Sequence, residues 1–180
     1  MARLRPARTC RNPNSQAWAR YSLRKPRKNY VRALPHTSLI VFKMGTESES
    51  YDTSVSLESE NFIQLRSNSL EAARLAANKH LEANAPGQYH FYVRVYPHNV
   101  IREKRMATGA GADRISQGMT LAFGKPVSVA ARMRPRQPVF TIKTSMANNK
   151  LAHEALKRAA SKLSGKYKII TTPIGKRAAA

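Results

Sequence analysis

From Met1 to Thr46 the chain carries no acidic residue, while Arg3, Arg5, Arg8, Arg11, Arg20, Arg24, Lys25, Arg27, Lys28, Arg32 and Lys43 are spread through it. A segment of one sign repels itself, and Pro6, Pro13, Pro26 and Pro35 interrupt any regular period. With no sustained apolar face, this stretch cannot bury a core of its own. It reads as an extended basic arm over residues 1–36, pinned by contacts to something else, with the folded domain starting behind it. A block of like charge is usually a solvated tail. Here Trp18, Tyr21 and Tyr30 are interleaved with the cations. Aromatic faces stack on bases and guanidinium planes stack beside them, so the mixture suits an arm ordered by irregular RNA.

The whole chain extends the same bias. Its 180 residues hold 32 Lys plus Arg against 10 Asp plus Glu, a formal charge of +22, and the commonest partner of such a field is a phosphate backbone. Five of the acids, Glu47, Glu49, Asp52, Glu58 and Glu60, are gathered in one stretch, which is expected to face away from the polyanion. A hydrophobic content of 42% is enough for a folded core. No apolar run approaches the roughly 18 residues that cross a bilayer, and the N-terminal arginines precede no apolar signal region. The lone Cys10 excludes an internal disulfide framework. The expectation is a cytoplasmic protein with no membrane partner.

Behind the arm, Thr37 to Lys43 is a β-rich run containing Leu39, Ile40, Val41 and Phe42. Val55 with Leu57, and Ile63 with Leu65, alternate with polar neighbours, so three short strands are predicted. Asn68 followed by Glu71 has the spacing of a capping box, opening an Ala-rich helix from Ser69 to about Ala83 whose Leu70, Ala73, Ala77 and Leu81 share a face. Tyr89, Phe91, Val93 and Val95 alternate with His90, Tyr92, Arg94 and Tyr96, the clearest period of two in the chain, closed by Pro97. Residues 98–124 are then poor in large apolar side chains and read as a long loop. Val127, Val129 and Ala131, the basic turn Arg132 to Pro138, and Phe140 with Ile142 predict a hairpin with a cationic tip. Asn148 or Asn149 caps a second helix through Ala152, Ala155, Leu156, Ala159 and Leu163, with Gly165 as its C-terminal cap. A last strand runs from Tyr167 to Thr172, and residues 173–180 form a tail. The fold class is α+β: one domain over residues 37–172, two main helices and a mixed or antiparallel sheet.

Constellations for catalysis are scarce. His36, His80, His90, His98 and His153 are scattered and none stands at metal-ligand spacing, so no metal and no cofactor is expected. Cys10 lies among arginines that would favour a thiolate, yet it has no partner base. Glu103 and Asp113 could be imagined as an acid and base pair, but Arg102, Lys104 and Arg114 beside them explain them as ion pairs. The run Ala107-Thr108-Gly109-Ala110-Gly111-Ala112-Asp113 is rich in glycine, yet Arg114 stands where a dinucleotide loop needs glycine and no Gly-Lys-Ser/Thr ending follows. It reads as a long small-residue projection with Arg102, Lys104 and Arg105 at its root. Loops of this length in compact domains are usually functional or disordered.

The run from Arg94 through Val95-Tyr96-Pro97-His98-Asn99-Val100-Ile101-Arg102-Glu103-Lys104-Arg105-Met106 to Ala107-Thr108-Gly109-Ala110-Gly111-Ala112-Asp113-Arg114 continues through Gly118-Met119 and Ala122-Phe123-Gly124-Lys125-Pro126. It closely resembles large-subunit ribosomal proteins of the L-ten-e type, the archaeal and eukaryotic counterpart of bacterial L-sixteen. The opening Met1-Ala2-Arg3-Leu4-Arg5-Pro6-Ala7-Arg8 and the helix from Asn68 to Ala77 resemble the same family, in an archaeal form.

The resemblance implies an α+β domain lodged in large-subunit rRNA beside neighbouring ribosomal proteins, with a loop reaching toward the peptidyl transferase region and tRNA in the A and P sites. Peptide-bond chemistry there belongs to RNA, so no enzyme is implied. Carried onto this chain, rRNA contacts would come from Arg3, Arg5, Arg8, Arg11, Trp18, Arg20, Tyr21, Arg24, Lys25, Arg27, Lys28, Tyr30 and Arg32 of the arm, and from Arg132, Arg134 and Arg136 of the turn. The tRNA-proximal loop would carry Arg102, Lys104, Arg105, Met106, Thr108, Gly109, Gly111, Asp113, Arg114 and Gly118. The competing reading is a basic architectural protein acting on nucleic acid outside the ribosome.

Overall fold

Strand alternation and two amphipathic helices account for the architecture. The computed structural model describes residues 6–7, 11, 31, 34–48, 50–104, 109–111 and 124–174. Among them the elements are β1 (Lys43–Gly45), β2 (Thr53–Ser59), β3 (Ile63–Arg66), α1 (Ser67–Asn84), β4 (Tyr89–Val93), β5 (Asn99–Glu103), β6 (Lys125–Met133), β7 (Pro138–Thr144), a 3-10 turn (Met146–Asn148), α2 (Asn149–Ala160) and β8 (Tyr167–Pro173). Five strands form one sheet in the order β1-β4-β7-β2-β8, and three form a second in the order β3-β6-β5. Every pairing is antiparallel, which bears out the α+β reading.

Period-two burial decides which face is which. Along β2 the side chains alternate between buried and half-buried, with Val55 and Leu57 inward and Ser54 and Ser56 outward. The inward residues of β2, β4 and β7 meet Leu70, Ala73, Ala77 and Leu81 of α1 and Ala152, Ala155, Leu156 and Ala159 of α2 in one core. Phe91 and Phe140 lie at its centre, ring centroids 5.4 Å apart and tilted by 57°, a geometry worth about 1 kcal/mol beyond area burial. The Ala-rich faces let the two helices pack on each other as well as on the sheets.

Two helix ends depart from the sequence expectation. The capping box is not made. Arg66 occupies the cap position and gives no side-chain cap bond, Asn68 sits inside the first turn and accepts the Ser69 N–H at 2.9 Å, and Glu71 faces forward to Arg74 instead. β3 runs straight into the helix, so the start is set by where the sheet ends and not by the best capping side chain. Gly165 is not the C-terminal cap of α2 either: the helix stops at Ala160 and Ser161 caps it. Lys162 and Leu163 then donate their N–H groups to the carbonyls of Ala159 and Ala160.

Strand readings need four further corrections. The apolar run from Thr37 to Phe42 is not a strand; β1 begins only at Lys43. Leu39 is buried while its neighbour Ile40 is 68% exposed, and the segment meets β4 through a single bond, the Val93 N–H to the Phe42 carbonyl at 2.8 Å. β4 ends at Val93 rather than at Pro97, although alternate burial continues to Asn99. Residues 98–124 are not loop from the start, because Asn99–Glu103 pairs with β6 as β5. Finally, β6 and β7 do not form a hairpin. β6 belongs to the three-stranded sheet and β7 to the five-stranded one, and the basic turn carries the chain between them.

Backbone conformation holds β1 in register. Gly45 has φ +80, and a Cβ there would stand 2.1 Å from the Tyr89 carbonyl oxygen. Only glycine permits both the left-handed backbone and the close approach of β1 to β4.

Candidate nucleic-acid interface

The face of the five-stranded sheet turned away from the helices is cationic and aromatic. Register places Lys43, Tyr92 and Thr141 in one row across β1, β4 and β7, and Gly45, His90 and Lys143 in the next. Arg94 follows β4 on the same side, its guanidinium carbon 4.7 Å from the Tyr92 ring centroid and its Nε donating to Thr141 Oγ1 at 3.1 Å. Lys43 Nζ lies 5.8 Å from the same ring and 3.9 Å from Glu47. These side chains line a hollow of about 230 Å³. His90 is buried at its base, and Nδ1 has no hydrogen-bond partner. Burial holds its imidazole below the ordinary range; Glu47 opposes this, and Lys143, Lys43 and Arg94 reinforce it.

Arg94 is shared with a second hollow of about 500 Å³, where Val95, Tyr96, His98, Asn99, Ala131, Arg132 and Gln137 complete the lining. Its aromatic wall is a ladder. Phe42 and Tyr96 stack at 5.5 Å and 20°, and Tyr96 meets His98 at 4.6 Å. Arg132 and Gln137 are shared in turn with a third hollow of about 570 Å³, lined also by Phe62, Arg134, Pro135 and Arg136. The three form one band across both sheets, with Lys43, Arg94, Lys143, Arg132, Arg134 and Arg136 along it and Glu47 at one end. Such a band can neutralise a run of phosphates while its rings meet bases.

The basic turn is held in an uncommon conformation. Arg136 has φ 62, in the left-handed region that a side chain disfavours. Its N–H donates to the Ser59 carbonyl at 2.7 Å, Ser59 N–H donates to the Gln137 carbonyl at 3.1 Å, and Arg134 N–H donates to Gln137 Oε1 at 2.9 Å. The end of β2 therefore clamps the turn, and its three arginines 132, 134 and 136 all remain exposed.

The Gly-rich projection leaves and returns at one place, because Glu103 and Lys125 are register partners at the open end of β5 and β6. A bulge lies just inside: Ile101 pairs with Ser128 but Arg102 with Pro126, leaving Val127 unpaired and 45% exposed. Arg102 is thereby a strand residue only 6% exposed, not the root of a loop as the sequence suggested. Lys104 is half-buried. Gly109 and Gly111 have φ 142 and 76, and nothing stands within 4 Å of a Cβ built at either, so backbone freedom rather than space explains glycine at these positions.

Of the arm's expected rRNA contacts, Arg11 is among the described residues. It is exposed, and its carbonyl accepts the Gln64 N–H at 2.7 Å, while the Pro6 carbonyl accepts from the Arg66 guanidinium at 3.4 Å. Arm carbonyls thus meet β3 at the Gln64 N–H on its free edge and at the Arg66 side chain. Arg3, Arg5, Arg8, Trp18, Arg20, Tyr21, Arg24, Lys25, Arg27, Lys28, Tyr30 and Arg32 lie outside the described residues, as do Cys10, Arg105, Met106, Thr108, Asp113, Arg114 and Gly118. Of the acidic stretch, Glu47 and Glu60 are exposed, Asp52 and Glu58 half-buried, and Glu49 lies outside the described residues.

The sequence reading did not single out Lys43, Tyr92, Arg94, Lys143, Tyr96 and His98, which line this candidate surface. A signal was available: the outward positions of the clearest strand read His, Tyr, Arg, Tyr. His80, treated as scattered, is buried between the helices, its Nε2 3.2 Å from Glu154. No group of three or more His, Cys, Asp or Glu that could hold a metal ion occurs among the described residues, and no described helix is long and apolar enough to cross a membrane.

Comparison with known proteins gives the same direction. The family described as Ribosomal protein L16p/L10e matches residues 18–170. The chain is 43% identical over 169 residues to the large ribosomal subunit protein uL16 of Methanococcus aeolicus, covering 93% of each chain. It is 40% identical over 157 residues to the protein of that name from Archaeoglobus fulgidus, covering 87% of this chain and 90% of the relative. It is 45% identical over 146 residues to that of Methanocella arvoryzae, covering 80% and 84%.

Proposed function

The chain belongs to the ribosomal protein L16p/L10e family, and from that premise we propose that this structural protein of the large ribosomal subunit binds large-subunit rRNA and helps position tRNA. Its place is the cytoplasmic ribosome, among rRNA and other ribosomal proteins.

The observation that carries rRNA binding is the cationic band across the two sheets, continuous through the shared residues Arg94, Arg132 and Gln137. Binding there is mostly counterion release, so affinity falls by roughly 0.7 to 0.9 log units per log unit of salt for each phosphate neutralised. Arginine forks add bidentate geometry that fixes register where strands converge. The basic arm extends this anchoring beyond the domain. The Gly-rich projection, springing from Glu103 and Lys125 at the open end of the three-stranded sheet, reaches tRNA in the A and P sites. It supplies small side chains around Gly109, Ala110 and Gly111 and takes no part in peptide-bond chemistry.

Binding of the full-length protein to a large-subunit rRNA transcript and to duplex DNA at matched salt tests the first part: rRNA is expected to bind more tightly, and preference for DNA would reject it in favour of an architectural protein outside the ribosome. Deleting Thr108 to Ala112 and measuring tRNA binding and peptide synthesis on assembled subunits tests the second, which unchanged rates would sink.

A further inference from the structure

We propose that the hollow between the two sheets is a receptor for one unpaired RNA nucleotide, whose base stacks on the Tyr96 and His98 ladder and donates a hydrogen bond to Asn99. The inference rests on the rRNA-binding reading and specifies what that surface recognises beyond phosphate charge.

Three features converge there. Tyr96 is 48% exposed and stands between half-buried Phe42 and exposed His98, so the ladder is backed at its Phe42 end and open at its His98 end. Only a base taken out of its own helical stack can offer a face to it. Asn99 lines the same hollow, is 2% exposed, and carries an Oδ1 with no partner. Its Nδ2 is committed to Gln64 Oε1, itself buried, which leaves the oxygen as a buried acceptor lacking a donor. Such an atom is costly unless something fills it, and the ring N–H or exocyclic amine of a base is a donor of the right kind. Arg94 and Arg132 stand on the rim, placed for the phosphates on either side of the nucleotide, and Val95 and Ala131 are buried apolar residues of the lining. A hollow of about 500 Å³ is within the size range of small-ligand sites.

A duplex offers phosphates but no free base face, its spare amine N–H groups opening only into the grooves, so the hollow discriminates bulged from fully paired RNA. The test uses full-length protein with two RNAs of equal length, one perfectly paired and one carrying a single bulged 2-aminopurine. The bulged RNA is expected to bind about tenfold more tightly, the size of one base-aromatic stack, with quenching of the fluorophore on stacking. Tyr96→Leu combined with His98→Ala should abolish both the preference and the quenching, with the thermal midpoint of the variant read beside them. Because both substitutions fall on exposed side chains, loss of fold is not expected; if the midpoint drops, Tyr96→Phe, which keeps the ring, must restore preference and quenching together. Equal binding of the two RNAs with an unquenched bulge overturns the inference and leaves rRNA anchoring intact. Failure to bind either RNA overturns both.

Discussion

The guanidinium of Arg94 stands 4.7 Å over the ring of Tyr92 and donates its Nε to Thr141 at 3.1 Å. One cation is thus oriented by β4 and β7 together, with its remaining N–H groups available to a phosphate. Arg94→Lys keeps the charge but loses the fork and the stacking. In salt-titrated binding to an rRNA transcript, Arg94→Ala should flatten the log-log slope by about 0.7 to 0.9. Arg94→Lys should retain the slope while weakening binding several-fold.

The buried His90 makes stability and RNA binding respond oppositely to acid. Its imidazole is held below the ordinary value of 6.5, so the unfolded chain binds a proton more readily than the folded one. Its contribution to stability is complete above about pH 6.5 and is lost as pH falls from there through the folded value. Groups facing it are Lys43 and Glu47 near β1, Arg94 after β4 and Lys143 on β7. A bound phosphate would favour the imidazolium, so RNA affinity should rise over the same interval. Thermal midpoints and affinities measured from pH 7.5 to 5.5 check both trends, and His90→Asn should flatten each.

Glu71 holds Arg74 by two bonds, 2.9 Å from Nε and 2.5 Å from the second guanidinium nitrogen. The guanidinium also donates to Met44 Sδ at 2.8 Å, tying α1 to β1. Glu71→Gln leaves a mostly buried cation short of its counter-charge. The expected loss is about 2 kcal/mol, read as a melting point lowered by roughly 4 to 8 °C in a chain of this size.

Left-handed backbone at Arg136, with φ 62, costs on the order of 1 kcal/mol for a side chain with a Cβ. Arg136→Gly should relieve that strain, so the folded state is expected to be unchanged or up to about 1 kcal/mol more stable, while rRNA affinity falls. Denaturant midpoints paired with binding isotherms would show the opposed signs.

Two glycines with similar φ should differ sharply. Gly45→Ala forces a Cβ to within 2.1 Å of the Tyr89 carbonyl and should displace β1 from β4, at a cost of more than about 2 kcal/mol. Gly111→Ala, at φ 76 with open space around it, should leave the melting point of the domain unchanged. Calorimetry of the two variants distinguishes a steric from a purely local conformational demand.

Local pattern was a good guide wherever one residue's neighbours along the chain decided its state. Period-two alternation located Val55 with Leu57 and Phe91 with Val93, and helical spacing found the buried faces at Leu70, Ala73, Ala77 and Leu81 and at Ala152, Ala155, Leu156 and Ala159. It misled at ends and joins. Asn68 is a better cap by type than Arg66, yet β3 delivers the chain to the helix two residues earlier, at Ser67. Val100 and Ile101 sit too close to charged neighbours to look like a strand, and only pairing with β6 makes them one.

The α+β class, the inward faces, the excess of cations over acids and the family resemblance are legible along the chain, because each depends on composition or on spacing within one segment. Where those cations meet depends on long-range strand pairing. Lys43, Arg94 and Lys143 are far apart along the chain and become one surface through the register of β1, β4 and β7. Arg132, Arg134 and Arg136 join them because the turn crosses between sheets instead of closing a hairpin. Strand partners are chosen by the burial of both faces and by long-range register, and neither is written in the period of a single strand.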